Sequence, residues 1–362
     1  MKKALTVLSL MLLFSLAAIG QQKEYKAYVV SNAHFDTQWN WTVQTSISQY
    51  LKNTMVQNIW LLDNYPEYVF NFEGGIKYAW MKEYYPEYYD KVKEYVLNGR
   101  WHITGSSWDA TDANLPSTES FLRSIMLGQL YYKHEFGPQF MGKDIFLPDC
   151  FGFGYTLPTL ASHAGLIGFS TQKLQWRVNP FFPDGKKVPF PIGLWQGVDG
   201  SRIMVALDAK SYGKRWEGTE DISYDAEMIE MAKTSSIPGV TYRYYGTGDT
   251  GGSPSIGSVQ AVQKGVHGNG PIKIISATST QLFEEYLPFA NHPELPVYDG
   301  ELLQDVHGSG VYTSEAAMKR FNRRNEQLAD AAERASVVAD WFGGLNYQSK
   351  TFDEAWKRFI FH

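Results

Sequence analysis

The sequence predicts an α/β protein built on a mostly parallel sheet or barrel. Three observations point there. Short apolar or β-branched runs alternate with longer helical stretches from Tyr25 onward, as in chains whose strands are joined by crossover helices. The residues most suggestive of chemistry follow directly after those runs, where ligand sites of parallel α/β folds lie. After Thr313 the strand pattern stops and only helical periodicity continues.

In chain order, the candidate strands are Ala27–Ser31, Tyr68–Phe72, Trp101–Thr104, Ile145–Leu147, Ile167–Thr171, Arg202–Leu207, Thr241–Tyr245 and Ile272–Ser276. Each is a short run rich in apolar, aromatic or β-branched residues, the composition of a buried strand. Between them the pattern predicts helices over Val43–Asn64, Pro86–Asn98, Thr118–His134, Leu157–Ala164, Asp225–Lys233, Ser255–Lys264 and Ser279–Ala290. Beyond Thr313, Met318, Phe321, Leu328, Ala332 and Val337 are spaced for one buried helix face, with Lys319, Arg320, Arg323, Arg324 and Glu326 mostly on the other. A last helix, Asp353–Phe361, reaches His362 with no cap, Gly or Pro to stop it. The expectation is a second, helical domain that is cut part-way through.

Composition narrows the function classes. The 362 residues are 44% hydrophobic and 15% aromatic, enough for a substantial core. The net charge of -5 lacks the basic footprint of nucleic-acid binding. The first twenty residues have the parts of a secretory signal: Lys2 and Lys3, an apolar run Ala4–Ala18, then small residues Ala18 and Gly20. Cleavage is expected near Gly20-Gln21. A membrane anchor is the alternative, but the run is short for a span of ~20 residues and no second apolar stretch follows. The expectation is an exported protein, periplasmic or secreted, with no membrane association once the signal is removed. Cys150 is the only cysteine, so no intrachain disulfide is available and the core must carry stability.

Four clusters could carry chemistry. His34 and Asp36 follow the apolar run Tyr28-Val29-Val30 and stand two apart, so both side chains point the same way at an extended strand end and could share a metal ion. A hydrogen-bonded strand-end pair is the bland alternative. Trp39 and Trp41, just beyond, suit stacking on a sugar, although core packing is the commoner fate of Trp. Asp149, in Pro148-Asp149-Cys150-Phe151-Gly152, sits at another strand end, placed to be a nucleophile, a ligand or a helix cap. Gly246-Thr247-Gly248-Asp249-Thr250-Gly251-Gly252 matches G-x-G-x-x-G, yet no Asp or Glu occurs between Asp249 and Glu284 to hold a ribose. The other reading is that the glycines let a sugar approach Asp249, which then acts as an acid. Finally, His307 lies in the loop Asp305-Val306-His307-Gly308.

Taken together and in order, these clusters resemble glycoside hydrolase family 38, the metal-dependent retaining α-mannosidases. The matching stretches are Ala33-His34-Phe35-Asp36-Thr37-Gln38-Trp39, Ser117-Thr118-Glu119-Ser120, Leu147-Pro148-Asp149-Cys150-Phe151-Gly152, Thr171-Gln172-Lys173-Leu174-Gln175-Trp176, Gly197-Val198-Asp199-Gly200-Ser201, Gly246-Thr247-Gly248-Asp249, and His307 through Tyr312-Thr313 to Asn322-Arg323-Arg324. The resemblance implies a (β/α)7-type barrel over residues 21–312 and the start of a helical-bundle middle domain over residues 313–362. It implies one Zn2+, or another divalent transition metal, held by His34, Asp36, Asp149 and His307. Two His and two carboxylates suit zinc and not calcium. It also implies Asp149 as nucleophile, Asp249 as general acid/base, and Trp39, Lys173 and Asp199 as substrate contacts. The expected substrates are mannose-containing glycans. The pattern departs from the family at Ala110, a position that is often Glu there. Competing readings are another exported zinc carbohydrate hydrolase such as a deacetylase, an inactive carbohydrate-binding remnant, and a dinucleotide oxidoreductase.

Overall fold

A computed structural model describes residues 25–175, 188–304 and 308–361. Its strands are β1 (Tyr25–Ala33), β2 (Phe70–Glu73), β3 (Trp101–Thr104), β4 (Asp144–Phe146), β5 (Gly152–Phe153), β6 (Gly168–Ser170), β7 (Ile192–Gln196), β8 (Arg202–Ala206), β9 (Val240–Thr247), β10 (Ile272–Ser276), β11 (Val297–Asp299) and β12 (Leu302–Leu303). All eight expected strands are present. Four were not expected: β5, β7, β11 and β12. A helix at Gly75–Tyr84 is also additional, its start concealed by the pair Gly74-Gly75 at the end of β2.

The strands form two five-stranded sheets and one short antiparallel pair, β5 with β12. In the first sheet β1 is central. It pairs along its length with β9, from Lys26↔Val240 to Ala33↔Thr247. Its other edge is shared by β10, against Tyr25–Val29, and β2, against Ser31 and Asn32, with β3 beyond β2. Every pairing in this sheet is parallel. Ala27 and Val29 belong to one apolar cluster, Tyr28 and Val30 to another. Both faces of β1 are therefore buried, which is why it reads as a continuous apolar run rather than an alternation. The second sheet has the order β11-β7-β8-β6-β4, parallel except for the hairpin partners β7 and β8.

Among the described residues no strand ladder joins the two sheets, so the expected barrel is not closed by pairing. Where β3 and β4 meet, the Asp144 carboxylate takes the place of ladder bonds: it accepts from Thr104 Oγ1 at 2.9 Å, Gly105 N at 2.8 Å and Ser279 Oγ at 2.7 Å. At the other meeting line Tyr244 N donates to Ala209 O at 2.9 Å. Burial pushes the Asp144 carboxyl above its ordinary pKa, against the pull of these hydrogen bonds.

The helices Ala316–Trp341 and Ser349–Phe361 follow. The expected buried stripe is not buried: Met318 is 65% exposed and Leu328 59%, with Phe321, Ala332 and Val337 exposed too. Docking instead uses polar groups and one Trp. Glu326 is 5% exposed and Trp356 2%; the former accepts from Ser117 N at 2.6 Å, and the Arg123 guanidinium lies 4.3 Å from the Trp356 ring centroid. Periodicity finds an apolar face but does not say what covers it. No helix among the described residues is long and apolar enough to cross a membrane.

Candidate active site at the strand ends

The first group of side chains comes from the ends of β1, β2 and β9. After β1 the chain stays extended, and residues 34–36 bond to residues 249–251 beyond β9: Asp36 N donates to Asp249 O at 3.1 Å and Gly251 N to His34 O at 3.3 Å. His34 is 4% exposed. Its Nδ1 lies 2.9 Å from Glu73 Oε1 at the end of β2, while Nε2 is buried without a hydrogen-bond partner and stands 3.9 Å from Asp36 Oδ1. Glu73 is further paired with Lys77 at 3.1 Å. Burial would raise the Glu73 pKa, but Lys77 and His34 overcome it and bring the carboxyl down to about 2. Burial likewise opposes a charged His34, yet its bond to Glu73 and the charges of Glu73 and Asp36 push its pKa up.

The second group comes from the ends of β4, β6 and β8. Asp149 follows β4, and its Oδ1 pairs with the ammonium of Lys173, which follows β6 and is buried. Tyr212, beyond β8, donates from its hydroxyl to Asp249 Oδ1 at 2.8 Å and lies 3.4 Å from Asp149 Oδ1. The hydroxyl stays protonated at any ordinary pH, because burial and then Asp149 and Asp249 push it far above the usual phenol range.

The two groups converge. Ligand-capable atoms of His34, Asp36 and Asp149 all lie within 4.8 Å of one another. Burial, and then Asp149 and Asp249, push the Asp36 pKa up, with His34 and Lys77 working the other way. Mutually repelling carboxylates around a buried imidazole nitrogen with no partner fit a divalent transition metal. His307, the fourth expected ligand, lies outside the described residues, as does the expected signal segment at residues 1–20.

Asp249 lies beside Asp149 and Asp36, in left-handed backbone at φ 65°. The glycines around it do not make room for a sugar, contrary to expectation. A Cβ on Gly248 would stand 1.7 Å from Tyr212 Cε2, and one on Gly246 2.0 Å from Asn32 O. They let the chain pack against itself, and they account for the G-x-G spacing without a dinucleotide. Trp39 is 61% exposed and edge-on to Trp41 at 5.7 Å; Trp41 in turn donates to Asp36 O at 3.3 Å and Ser46 Oγ at 2.9 Å. A cleft of ≈ 1200 Å³ runs from His34 and Asp36 past Asp109 and Asp112 to Phe321 and Phe361.

Asp199 does not join the site. It lies in the turn leading into β8, at the end of that strand opposite Tyr212, and its carboxylate is taken up by Thr159, His163 and Ser201. Cys150 is next to Asp149, but burial, then Asp112 and Asp149, push its thiol well up, which disfavours a thiolate nucleophile. Tyr212, Glu73 and Lys77 were missed in the sequence. The signal available for Tyr212 and Glu73 was their place after strands that run the same way as β1.

Fold and site together define an α/β protein of parallel sheets with a carboxylate-rich, metal-competent centre at the strand ends. The chain belongs to glycosyl hydrolase family 38: residues 24–301 match the Glycosyl hydrolases family 38 N-terminal domain. Among curated relatives it is 30% identical to Alpha-mannosidase G of Dictyostelium discoideum, over 94% of this chain and 30% of that protein. It is 29% identical to Alpha-mannosidase of Saccharomyces cerevisiae, over 92% of this chain and 30% of that protein. The chain thus spans about a third of the length of these relatives. Among solved structures, an alpha-mannosidase from Enterococcus faecalis superposes with a TM-score of 0.72 at 21% identity, covering 93% of this chain and 38% of that one, a likeness of fold.

Proposed function

We propose that this chain carries the active centre of a retaining, metal-dependent, exo-acting α-mannosidase that hydrolyses α-mannosides of glycans. The observation that carries the reading is the convergence of His34, Asp36 and Asp149 beside Asp249. Because one Tyr212 hydroxyl lies 3.4 Å from Asp149 Oδ1 and 2.8 Å from Asp249 Oδ1, those two oxygens are at most 6.2 Å apart. That supports retention, since inverting pairs leave room for water at about 6.5–9.5 Å.

In the proposed reaction an Asp149 oxygen attacks the anomeric carbon as the glycosidic bond breaks, and Asp249 gives its proton to the departing oxygen. Water then attacks the same carbon, Asp249 takes the water proton, and the ester bond to Asp149 breaks. Tyr212 holds Asp249 in place. Lys173 holds the Asp149 carboxylate in its orientation, and Trp39 offers its exposed face to a sugar ring. His34, Asp36, Asp149 and His307 would hold one Zn2+ or a similar ion, which when bound supplies positive charge for orienting sugar hydroxyls.

We also read residues 21–312 as the (β/α)7-type catalytic domain, its closure supplied in part by Asp144, and residues 313–362 as the start of a helical middle domain. Residues 1–20 are proposed as an export signal to the periplasm or outside the cell. The test is hydrolysis of an aryl α-mannoside by wild type, with and without chelator, beside Asp149→Ala, with the anomer of the first product read by NMR. Loss of activity in both cases and α-configured product are expected. Activity indifferent to both changes, or a β-configured product, defeats the reading.

A further inference from the structure

The helix Gly75–Tyr84 carries a Lys whose side chain is fully buried, Lys77. Its ammonium lies 3.1 Å from Glu73 Oε1 and 3.7 Å from Asp109 Oδ1. Each of those carboxylates supports one end of the loop that begins the site. Glu73 meets His34 Nδ1 at 2.9 Å, and Asp109 Oδ2 accepts from Thr37 Oγ1 at 2.7 Å. The same ammonium stands 4.7 Å from the ring centroid of Phe35, between them. One cation therefore bears on His34, Phe35 and Thr37, leaving Asp36 to face Asp149.

The packing leaves this arrangement little slack. A Cβ on Gly74 would stand 3.3 Å from both Asp109 Oδ1 and Lys77 Cδ, and one on Gly75 3.0 Å from the Trp108 ring. Burying a Lys between two carboxylates is a poor way to gain stability, because desolvation offsets most of the attraction. What it does secure is geometry. A carboxylate against Nδ1 requires the proton on that nitrogen, so the neutral, metal-binding ring presents its lone pair at Nε2.

We propose that Lys77 is the positioning residue of the metal centre: through Glu73 it fixes the His34 ring with Nε2 aimed at Asp36 and Asp149, and through Asp109 it ties down Thr37. This rests on the reading of His34, Asp36 and Asp149 as ligands. The test is titration of the metal-free protein with Co2+, reading the d–d absorption, and with Zn2+ against a competing chelator. The variants are Lys77→Met, Glu73→Gln/Lys77→Met, which leaves no buried Glu73 charge unpaired and leaves Asp109 its Thr37 hydrogen bond, and His34→Ala as reference, with folding followed by circular dichroism.

Both clamp variants are expected to bind roughly 10–100-fold more weakly than wild type, with a shifted d–d spectrum. A role in stability alone would lower the melting temperature and leave affinity and spectrum unchanged. If Lys77→Met does not fold, the double variant decides. A folded clamp variant with wild-type affinity and spectrum overturns the proposal while wild type still outbinds His34→Ala. If wild type binds no more tightly than His34→Ala, the metal reading itself fails and the clamp with it.

Discussion

Replacing Tyr212 by Phe removes one oxygen and leaves the ring where it is. The hydroxyl lost is the donor to Asp249 at 2.8 Å; its 3.4 Å approach to Asp149 is too long to add much. As Asp249 gives up its proton its carboxyl becomes charged, and a hydrogen bond to a charged group contributes about 1.5–3 kcal/mol. At 1.36 kcal/mol per tenfold, kcat/KM should fall roughly 10- to 150-fold if Asp249 is the proton donor and Tyr212 aims it. The assay is hydrolysis of an aryl α-mannoside, with the melting temperature measured alongside. Gly248→Ala reaches the same atom by another route, since its Cβ would stand 1.7 Å from Tyr212 Cε2 and force the ring aside. It should lose at least as much activity and also lower the melting temperature. If Tyr212→Phe stays within about twofold of wild type, the hydroxyl does not position the acid and the two-carboxylate geometry inferred from it is wrong.

Three further outcomes are expected. Trp39→Ala should raise KM and barely change the melting temperature, because a side chain 61% exposed contributes little to the core; an unchanged KM removes Trp39 from the substrate's path. Asp144→Ala removes the acceptor of Gly105 N and of the Thr104–Ser279 hydroxyl pair, whose mutual bond remains, and should cost about 2–4 kcal/mol by urea unfolding, as buried donors lose their acceptor; a cost under about 1 kcal/mol contradicts the joining role. Glu73 titrates near 2 in the folded chain against an ordinary 4.5, so its contribution to stability is whole above about pH 4.5 and is lost as pH falls toward 2. Urea midpoints of the metal-free protein across that window should fall less steeply for Glu73→Gln, and equal slopes would refute the assignment.

His34, Asp36, Asp149 and Asp249 stand out in the sequence because each follows a run read as a strand, and parallel strands deliver their ends to one face; their separate roles come from the resemblance to the family and not from that pattern. Tyr212 lies six residues past Ala206, so its place after a strand was a signal, but the loop between them, with Lys210 in left-handed backbone, is what returns the side chain to the site and it has no marker in the sequence. Glu73 and Lys77 flank the start of a helix that the sequence does not announce, and only their burial marks them as more than a surface pair. Pro189, Pro191 and Gly193 disguise the strand β7 in the sequence; both prolines precede its first residue, Ile192, and Gly193 sits where a Cβ would stand 2.5 Å from the Phe190 ring. The apolar stripe of Ala316–Trp341 shows the converse failure, a correct periodicity with no burial behind it.

The seam between the two sheets has a consequence for how the centre can change over time. His34, Asp36, Glu73 and Asp249 stand on the sheet of β1, β2 and β9, whereas Asp149, Lys173 and Tyr212 stand on the sheet of β4, β6 and β8. Neither half owns a working set of groups. With no ladder among the described residues riveting the halves together, their relative tilt is set by a few polar contacts such as those of Asp144 and by the apolar packing between them. A substitution far from any sugar, buried along that line, can therefore retune the distance between nucleophile and proton donor while leaving every reacting residue in place.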